Sequence, residues 1–231
     1  MQTPARHTKA AQKKRMSRSS ATRPHGARSP QSQRSASSAA RAGGAHTIRI
    51  IGGDWKRTPL PVLDLEGLRP TPDRVRETLF NWLGQQLDGQ RCLDLFAGSG
   101  ALGFEAASRG AARVVMVERN ARAAAQLRAN QARLGARTIE IAEADALRLA
   151  ASLAPASFEV VFLDPPFGDA ALLTRALEVA VPLVGVDGRL YVESGERIDP
   201  AARPELAGWS VIREGRAGAV FYHLLRRENE E

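Results

Sequence analysis

From Gln90 onward, short apolar runs alternate with helix-length segments, and this alternation constrains the fold more than any other feature of the chain. Parallel strands need a crossover of a dozen or more residues, so the pattern predicts βαβ units and a mostly parallel sheet. The expected strands are Arg91 to Phe96, Arg113 to Glu118, Thr138 to Ala142, Phe158 to Leu163 and Leu190 to Glu193. A helix from about Ala101 to Arg109 follows the first strand, and Asn120 is placed to cap a second helix that Gly135 ends. Trp209 to Arg213 and Ala219 to Leu225, separated by a Gly-containing turn, read as an antiparallel pair closing the sheet edge. The fold class expected is α/β: a Rossmann-like, doubly wound sheet with an antiparallel C-terminal hairpin.

The segment before the sheet has a different character. Thr47 to Val62 reads as a small hairpin around Gly52 and Gly53. Thr71 to Leu83 reads as a helix, with Thr71 as its N-cap, Val75, Leu79, Trp82 and Leu83 at helical spacing, and Gly84 as its stop. Residues 1–46 lack hydrophobic periodicity and are rich in Ser, Ala and Arg, the composition of a disordered tail. The expected organisation is therefore a basic tail over 1–46, a hairpin and helix extension over 47–84, and the α/β domain over 85–231.

The net charge of +8 suggests a nucleic-acid partner until its distribution is read. Residues 1–46 hold ten Lys and Arg and no acid, leaving 23 basic against 25 acidic residues in the remainder. The basic excess lies in the tail, whose readings are an electrostatic arm for RNA, a dispensable extension, or an organelle transit peptide, although little in it is amphipathic. The single Cys92 excludes an internal disulfide and a multi-cysteine metal site, and its apolar setting reads as packing in a reducing compartment; no metal is expected. No stretch approaches the roughly 18 apolar residues of a membrane span, and no secretory signal is visible, so the expectation is a cytoplasmic protein without membrane contact.

Leu93 to Gly103 leaves a strand and opens a helix through Phe96, Ala97, Gly98 and Gly100. Glycines there allow a tight turn and close approach to a ligand. Gly98, Gly100 and Gly103 also satisfy the dinucleotide spacing, so the loop alone does not separate NAD from S-adenosylmethionine. Asp94 disfavours a pyrophosphate but suits the ammonium of a methionine moiety. Glu118, at the end of the next strand, suits a ribose diol, a role common to both cofactors. Asp145 falls where its carboxylate, or the backbone amide of Ala146, could reach an adenine edge.

The fourth strand runs into Asp164-Pro165-Pro166-Phe167. Ligands of open α/β sheets bind beyond the carboxyl ends of the strands, which puts Asp164 on the same rim as the glycine loop. Two prolines fix successive backbone angles and remove two amide donors, leaving a stiff loop that presents carbonyl acceptors. An exocyclic base amine is a poor nucleophile because its lone pair is conjugated into the ring. Hydrogen bonds from its two N–H groups to the Asp164 carboxylate and the Pro165 carbonyl would orient that lone pair, while Phe167 stacks on the base. The bland alternative is a Pro-Pro loop with an Asp helix cap and a core Phe.

With these words in place the sequence resembles the RsmD family of bacterial 16S ribosomal RNA guanine-N2 methyltransferases, over essentially all of Thr47 to Arg227. The matching words are Ile48 to Gly53, Gly67 to Thr71, Asp73 to Leu83, Leu93-Asp94, Phe96 to Gly103 and Asp164 to Phe167. The resemblance implies a monomeric class I methyltransferase using S-adenosylmethionine, acting on 16S ribosomal RNA within an assembling 30S subunit. It further implies that the hairpin and helix bind RNA, with Arg49, Arg57, Arg69, Thr71, Arg74 and Arg76 as the contacts. The alternative for each Arg is a solvated surface charge, and for Thr71 a simple N-cap. The long basic tail departs from the family's usual short N-terminus.

Other functions fit less of the sequence. A DNA amine methyltransferase would use the same tetrapeptide but usually carries a sizeable recognition segment, for which no room is apparent. A protein glutamine methyltransferase more often has Asn where Asp164 stands. An NAD-dependent reductase gives Asp164 to Phe167 no role, and a non-catalytic assembly factor would not need both motifs.

Overall fold

The structure is a computed structural model that describes residues 46–65, 70–166 and 168–228. Residues 1–45 of the tail, Arg69 and Phe167, on which expectations were placed above, lie outside the described residues, while His46 opens the first strand.

The chain first forms an antiparallel hairpin of β1 (His46–Arg49) and β2 (Pro59–Val62), with Ile48 opposite Leu60, and then helix α1 (Asp73–Trp82). The α/β unit follows as β3 (Arg91–Asp94), α2 (Ala101–Ser108), β4 (Arg113–Glu118), α3 (Ala121–Leu134), β5 (Ile139–Glu143), α4 (Ala146–Ala150), β6 (Phe158–Leu163), α5 (Ala170–Ala180), β7 (Val184–Ser194), β8 (Trp209–Ala217) and β9 (Val220–Arg227). The seven-stranded sheet has the order β5-β4-β3-β6-β7-β9-β8. All neighbours from β5 to β7 are parallel, and β9 runs antiparallel to both β7 and β8. The C-terminal pair thus completes the sheet as expected, with β9 inside it and β8 at the edge.

The strands read as apolar runs because both faces of the sheet are covered. Cys92, Met116, Phe162 and Tyr191 pack on one side; Leu93, Val115, Val161 and Leu190 pack on the other. The register that places Leu93 beside both Val115 and Val161 keeps each side continuous across three strands. Cys92 is fully buried in this core, and the loss of water pushes its thiol up to about 12, the behaviour of a packing residue. Helix α3 begins and ends where its sequence dictates. The Asn120 side chain accepts from the amides of Arg122 and Ala123, and Gly135 takes the left-handed conformation at φ 62°.

The hairpin and α1 are fastened to α2. The turn of the hairpin lies on the end of that helix: Asp54 N donates to Ser108 O (2.7 Å), Trp55 N to Ser108 Oγ (3.0 Å), and Ser108 Oγ to Gly52 O (2.6 Å). Gly53 sits at φ 72°, and a Cβ there would lie 1.7 Å from Ser108 O, so glycine is required by the approach itself. Next to this latch, the buried Glu105 carboxylate accepts from Ile51 N, Gly52 N, Arg76 Nη1 and Arg109 Nε. Arg76 is itself 0% exposed and also donates to Thr71 O, Arg49 O and Asp73 Oδ1.

Two expectations for α1 are corrected here. Arg76 was placed among the RNA contacts, but it is sealed inside the protein by four partners, and a guanidinium so enclosed does not reach a phosphate. Thr71 was a candidate N-cap, but the helix begins at Asp73 with Pro72 at the cap position and no side-chain cap bond. Proline pulls the residue before it into extended geometry, so Thr71 leaves the helix and its hydroxyl points elsewhere.

Candidate active site

β3 has β4 on one side and β6 on the other, so successive crossovers leave β3 in opposite directions and open a crevice at the carboxyl ends of the strands. A cavity of about 330 Å³ occupies that crevice. Its lining includes Thr71, Asp94, Phe96, Ala97, Gly98, Glu118, Asp145, Ala146, Asp164, Pro165 and Pro166. Of the described residues singled out in the glycine loop, at the strand ends and in the proline loop, all but Gly100 and Gly103 therefore converge on one space.

Each strand end presents its side chain for a definite reason. Asp94 ends β3 on the same face as Cys92, 2% exposed, and its Oδ2 accepts from Gly103 N (3.1 Å) at the start of α2. Burial pushes this carboxyl up to about 7, while the amides of Gly103 and Phe96 pull it down and the nearby charges of Glu118 and Glu193 push it further up. Glu118 ends β4 half-buried; its Oε2 accepts from Gly98 N (3.0 Å) and its Oε1 from Asn120 N (2.7 Å). Each oxygen of that carboxylate retains acceptor capacity for a ligand. Asp145 is exposed and caps α4 by accepting from Arg148 N (3.0 Å), which leaves its other oxygen uncommitted in that bond.

The loop glycines divide their work differently from the reading of the sequence. Gly98, at φ 52°, lines the cavity. Gly103 serves packing, since a Cβ there would meet Met116 Cγ at 2.7 Å; it lets α2 lie close on β4. Gly100 is likewise hemmed in by Leu127 and Phe104 rather than by the cavity.

Asp164 follows β6 and is half-buried. The cap of α5 is Asp169, which accepts from Leu172 N (2.9 Å), so Asp164 is not serving as a helix cap. Thr71 Oγ1 donates to Asp164 Oδ2 at 3.5 Å, bringing the segment before α1 to the site. Loss of water and the negative charges of Glu193 and Asp94 hold Asp164 well above the usual carboxylate range, and the Thr71 hydroxyl opposes them. Pro165 is buried and Pro166 exposed, and both line the cavity.

Of the basic residues proposed for RNA, Arg49, Arg57 and Arg74 are exposed on the hairpin and α1. Sequence reasoning missed Tyr191 and Glu193. They sit two apart on β7, and Tyr191 Oη donates to Glu193 Oε1 at 2.8 Å within the core. A tyrosine and a glutamate alternating with apolar residues on a strand expected to be buried was the available signal.

Comparison with known proteins agrees with this geometry. A family model described as "Conserved hypothetical protein 95" matches residues 48–226. The chain is 42% identical to ribosomal RNA small subunit methyltransferase D of Escherichia coli K12 over 191 residues, covering 80% of this chain and 92% of that protein. The protein of the same name from Haemophilus influenzae is also 42% identical, over 77% of this chain and 92% of its own length. Among solved structures, a putative methyltransferase from Escherichia coli superposes with a TM-score of 0.69 at 39% identity, covering 79% of this chain and 99% of that one. A precorrin methyltransferase from Geobacter metallireducens, TM-score 0.57 at 19% identity, shares the fold. The chain belongs to the family of small-subunit ribosomal RNA methyltransferases D.

Proposed function

We propose that this chain transfers a methyl group from S-adenosylmethionine to the exocyclic N2 amine of a guanine in 16S ribosomal RNA, in an assembling small subunit in the cytoplasm. The observation that carries the reading is the meeting of Asp94, Gly98, Glu118 and Asp164 on one cavity.

The donor set fits the cofactor. Asp94 offers an ammonium a buried carboxylate, and Glu118 offers acceptors to a ribose diol beside the Gly98 backbone. A pyrophosphate would face the Asp94 carboxylate, which disfavours NAD. When bound, S-adenosylmethionine supplies a sulfonium methyl group, electrophilic at carbon.

The chain's own residues then have three tasks. Asp164 and the Pro165 carbonyl accept the two N–H bonds of the amine and aim its lone pair, a positioning effect. Those donors favour the charged form of Asp164 and so offset the burial that raises it. As positive charge develops on the nitrogen, the same carboxylate stabilises it. The guanine must leave its stack to reach this depth. Arg49, Arg57 and Arg74, exposed on the hairpin and α1, hold RNA phosphates, and Arg69 and Phe167 keep the RNA-contact and base-stacking roles read from their motifs.

The test is to map methylated bases in 16S ribosomal RNA from a deletion strain and complement it. One N2-methylguanine should be missing and restored by the wild-type gene. Asp164→Ala should fail to restore it, with S-adenosylmethionine binding retained by calorimetry. Restoration by that variant would end the assignment.

A further inference from the structure

Three carboxyl side chains end adjacent strands on the same face of the sheet: Asp94 on β3, Asp164 after β6, and Glu193 on β7. The parallel register pairs Leu163 with Val192, so Asp164 and Glu193 are the next residues along on each strand. Asp94 and Asp164 line the cavity, whereas Glu193 is 4% exposed and lies behind it. Its Oε1 is held by Tyr191 Oη at 2.8 Å. Thr71 Oγ1 donates to Asp164 Oδ2, and the same hydroxyl opposes the rise that burial imposes on the Glu193 carboxyl. A hydroxyl between two carboxyl groups can pass a proton from one to the other by donating to one while accepting from the other.

Two neighbouring carboxyl groups, one buried and one half-buried, do not readily ionise together. We propose that Glu193 is a positioning residue of the methyl-transfer site, forming with Asp164 through the Thr71 hydroxyl a pair that holds one proton between them. Glu193 thereby sets the pH above which Asp164 accepts the substrate amine.

This role presupposes the amine methylation proposed above. When the amine docks, its N–H donors need a carboxylate, and the shared proton moves to Glu193. After the methyl group is on nitrogen, one N–H bond breaks and an O–H bond forms on Asp164. The pair then holds two protons and releases one to water.

Among the described residues, the groups facing Glu193 are few. Tyr191 lies on its own strand, Tyr222 opposite it on β9, Thr71 comes from the α1 side, and Asp164 and Asp94 lie along the strand ends. Burial raises Glu193 to about 7, with Tyr191 and Thr71 opposing, and the Glu193 charge is the second cause of the rise in Asp164.

The experiment is the pH dependence of kcat/KM on ribosomal RNA for the full chain, with Glu193→Gln and Thr71→Val. Removing the Glu193 charge should move the acid limb to lower pH, by about one unit for a pair coupled this closely. Removing the Thr71 donor should move it to higher pH. Displacements of opposite sign are not produced by a merely structural role. An acid limb that is unmoved or raised in E193Q overturns the proposal, as does one that T71V leaves in place. Should E193Q not fold, carboxyl-carbon NMR titration of the wild-type protein without cofactor decides the matter. Asp164 and Glu193 should titrate as one coupled pair, and independent single-site curves would overturn the proposal. Failure of the wild-type protein to methylate ribosomal RNA would instead remove the functional reading, leaving the titration to judge the carboxyl pair.

Discussion

Asp94 is an acid whose burial and function pull in opposite directions. In the folded protein it is held at about 7 by burial, so near neutrality about half of it is protonated, and a cationic ligand must recover the charged form. S-adenosylmethionine affinity should therefore weaken as pH falls below about 7, approaching a tenfold loss per pH unit, while Asp94→Asn should bind weakly and independently of pH. Calorimetric titrations between pH 5 and 8 check this, and a flat wild-type profile would remove Asp94 from the ammonium site. Folding responds with its own sign. A carboxyl raised in the folded state keeps a proton that the unfolded chain has released, so the cofactor-free protein should lose stability as pH rises from about 4 to 7. Asp94→Asn should shallow that slope in denaturant melts. The place of Asp94 on the cavity was legible because it stands beside the glycines that mark a turn. Glu193 was not, because nothing in the local sequence shows that β7 lies next to β6 or that Thr71 crosses to meet them.

At the scale of elements, the helix α1 shows where periodicity succeeds and where it misleads. Val75 and Leu79 were correctly read as its inner face, but Arg76 belongs to the same face with Phe80, and the resemblance assigned it to RNA. A helical stripe is wide enough to include position 76, and a cation there needs a buried anion. The anion is Glu105, the one charged residue of α2, where every residue is buried. Sequence shows two charges 29 residues apart on separate helices; only the tertiary fold shows that they pair. Removing one member of a buried pair strands the other, at a cost of about 3 to 5 kcal/mol. Arg76→Met should therefore lower the stability of the whole protein by about that amount in denaturant unfolding. RNA binding measured well below the melting temperature should keep its salt dependence. Arg74→Ala, on the exposed face, should do the reverse, reducing the salt dependence by about one phosphate contact and leaving stability within about 0.5 kcal/mol.

For the whole molecule, charge separates what builds the site from what brings RNA to it. The hairpin and α1 are bound into the protein through Glu105 and Ser108, and Thr71 reaches Asp164 from the same segment, so the extension completes the site as well as presenting Arg49, Arg57 and Arg74. The doubly wound sheet was legible through its inner strands β3, β4 and β6, whose residues are nearly all buried; the fastening of the extension was not, because it rests on contacts between residues more than fifty apart. The remaining sequence is nearly balanced in charge, and ten cations precede Thr47 without one acid. Each phosphate neutralised on a single strand contributes about 0.7 to the slope of log affinity against log salt. A chain lacking residues 1–46 should therefore bind ribosomal RNA with a slope smaller by several units if the tail engages phosphates, and the loss of affinity should be greatest at low salt. Turnover at saturating RNA should be unchanged, because screened charges act over about 10 Å at ordinary ionic strength and Asp164 is fixed by β6 and Thr71. Filter binding across a salt series, paired with single-turnover methylation, measures both quantities. An unchanged slope would make the tail dispensable for RNA, and a lost turnover would place part of it at the site.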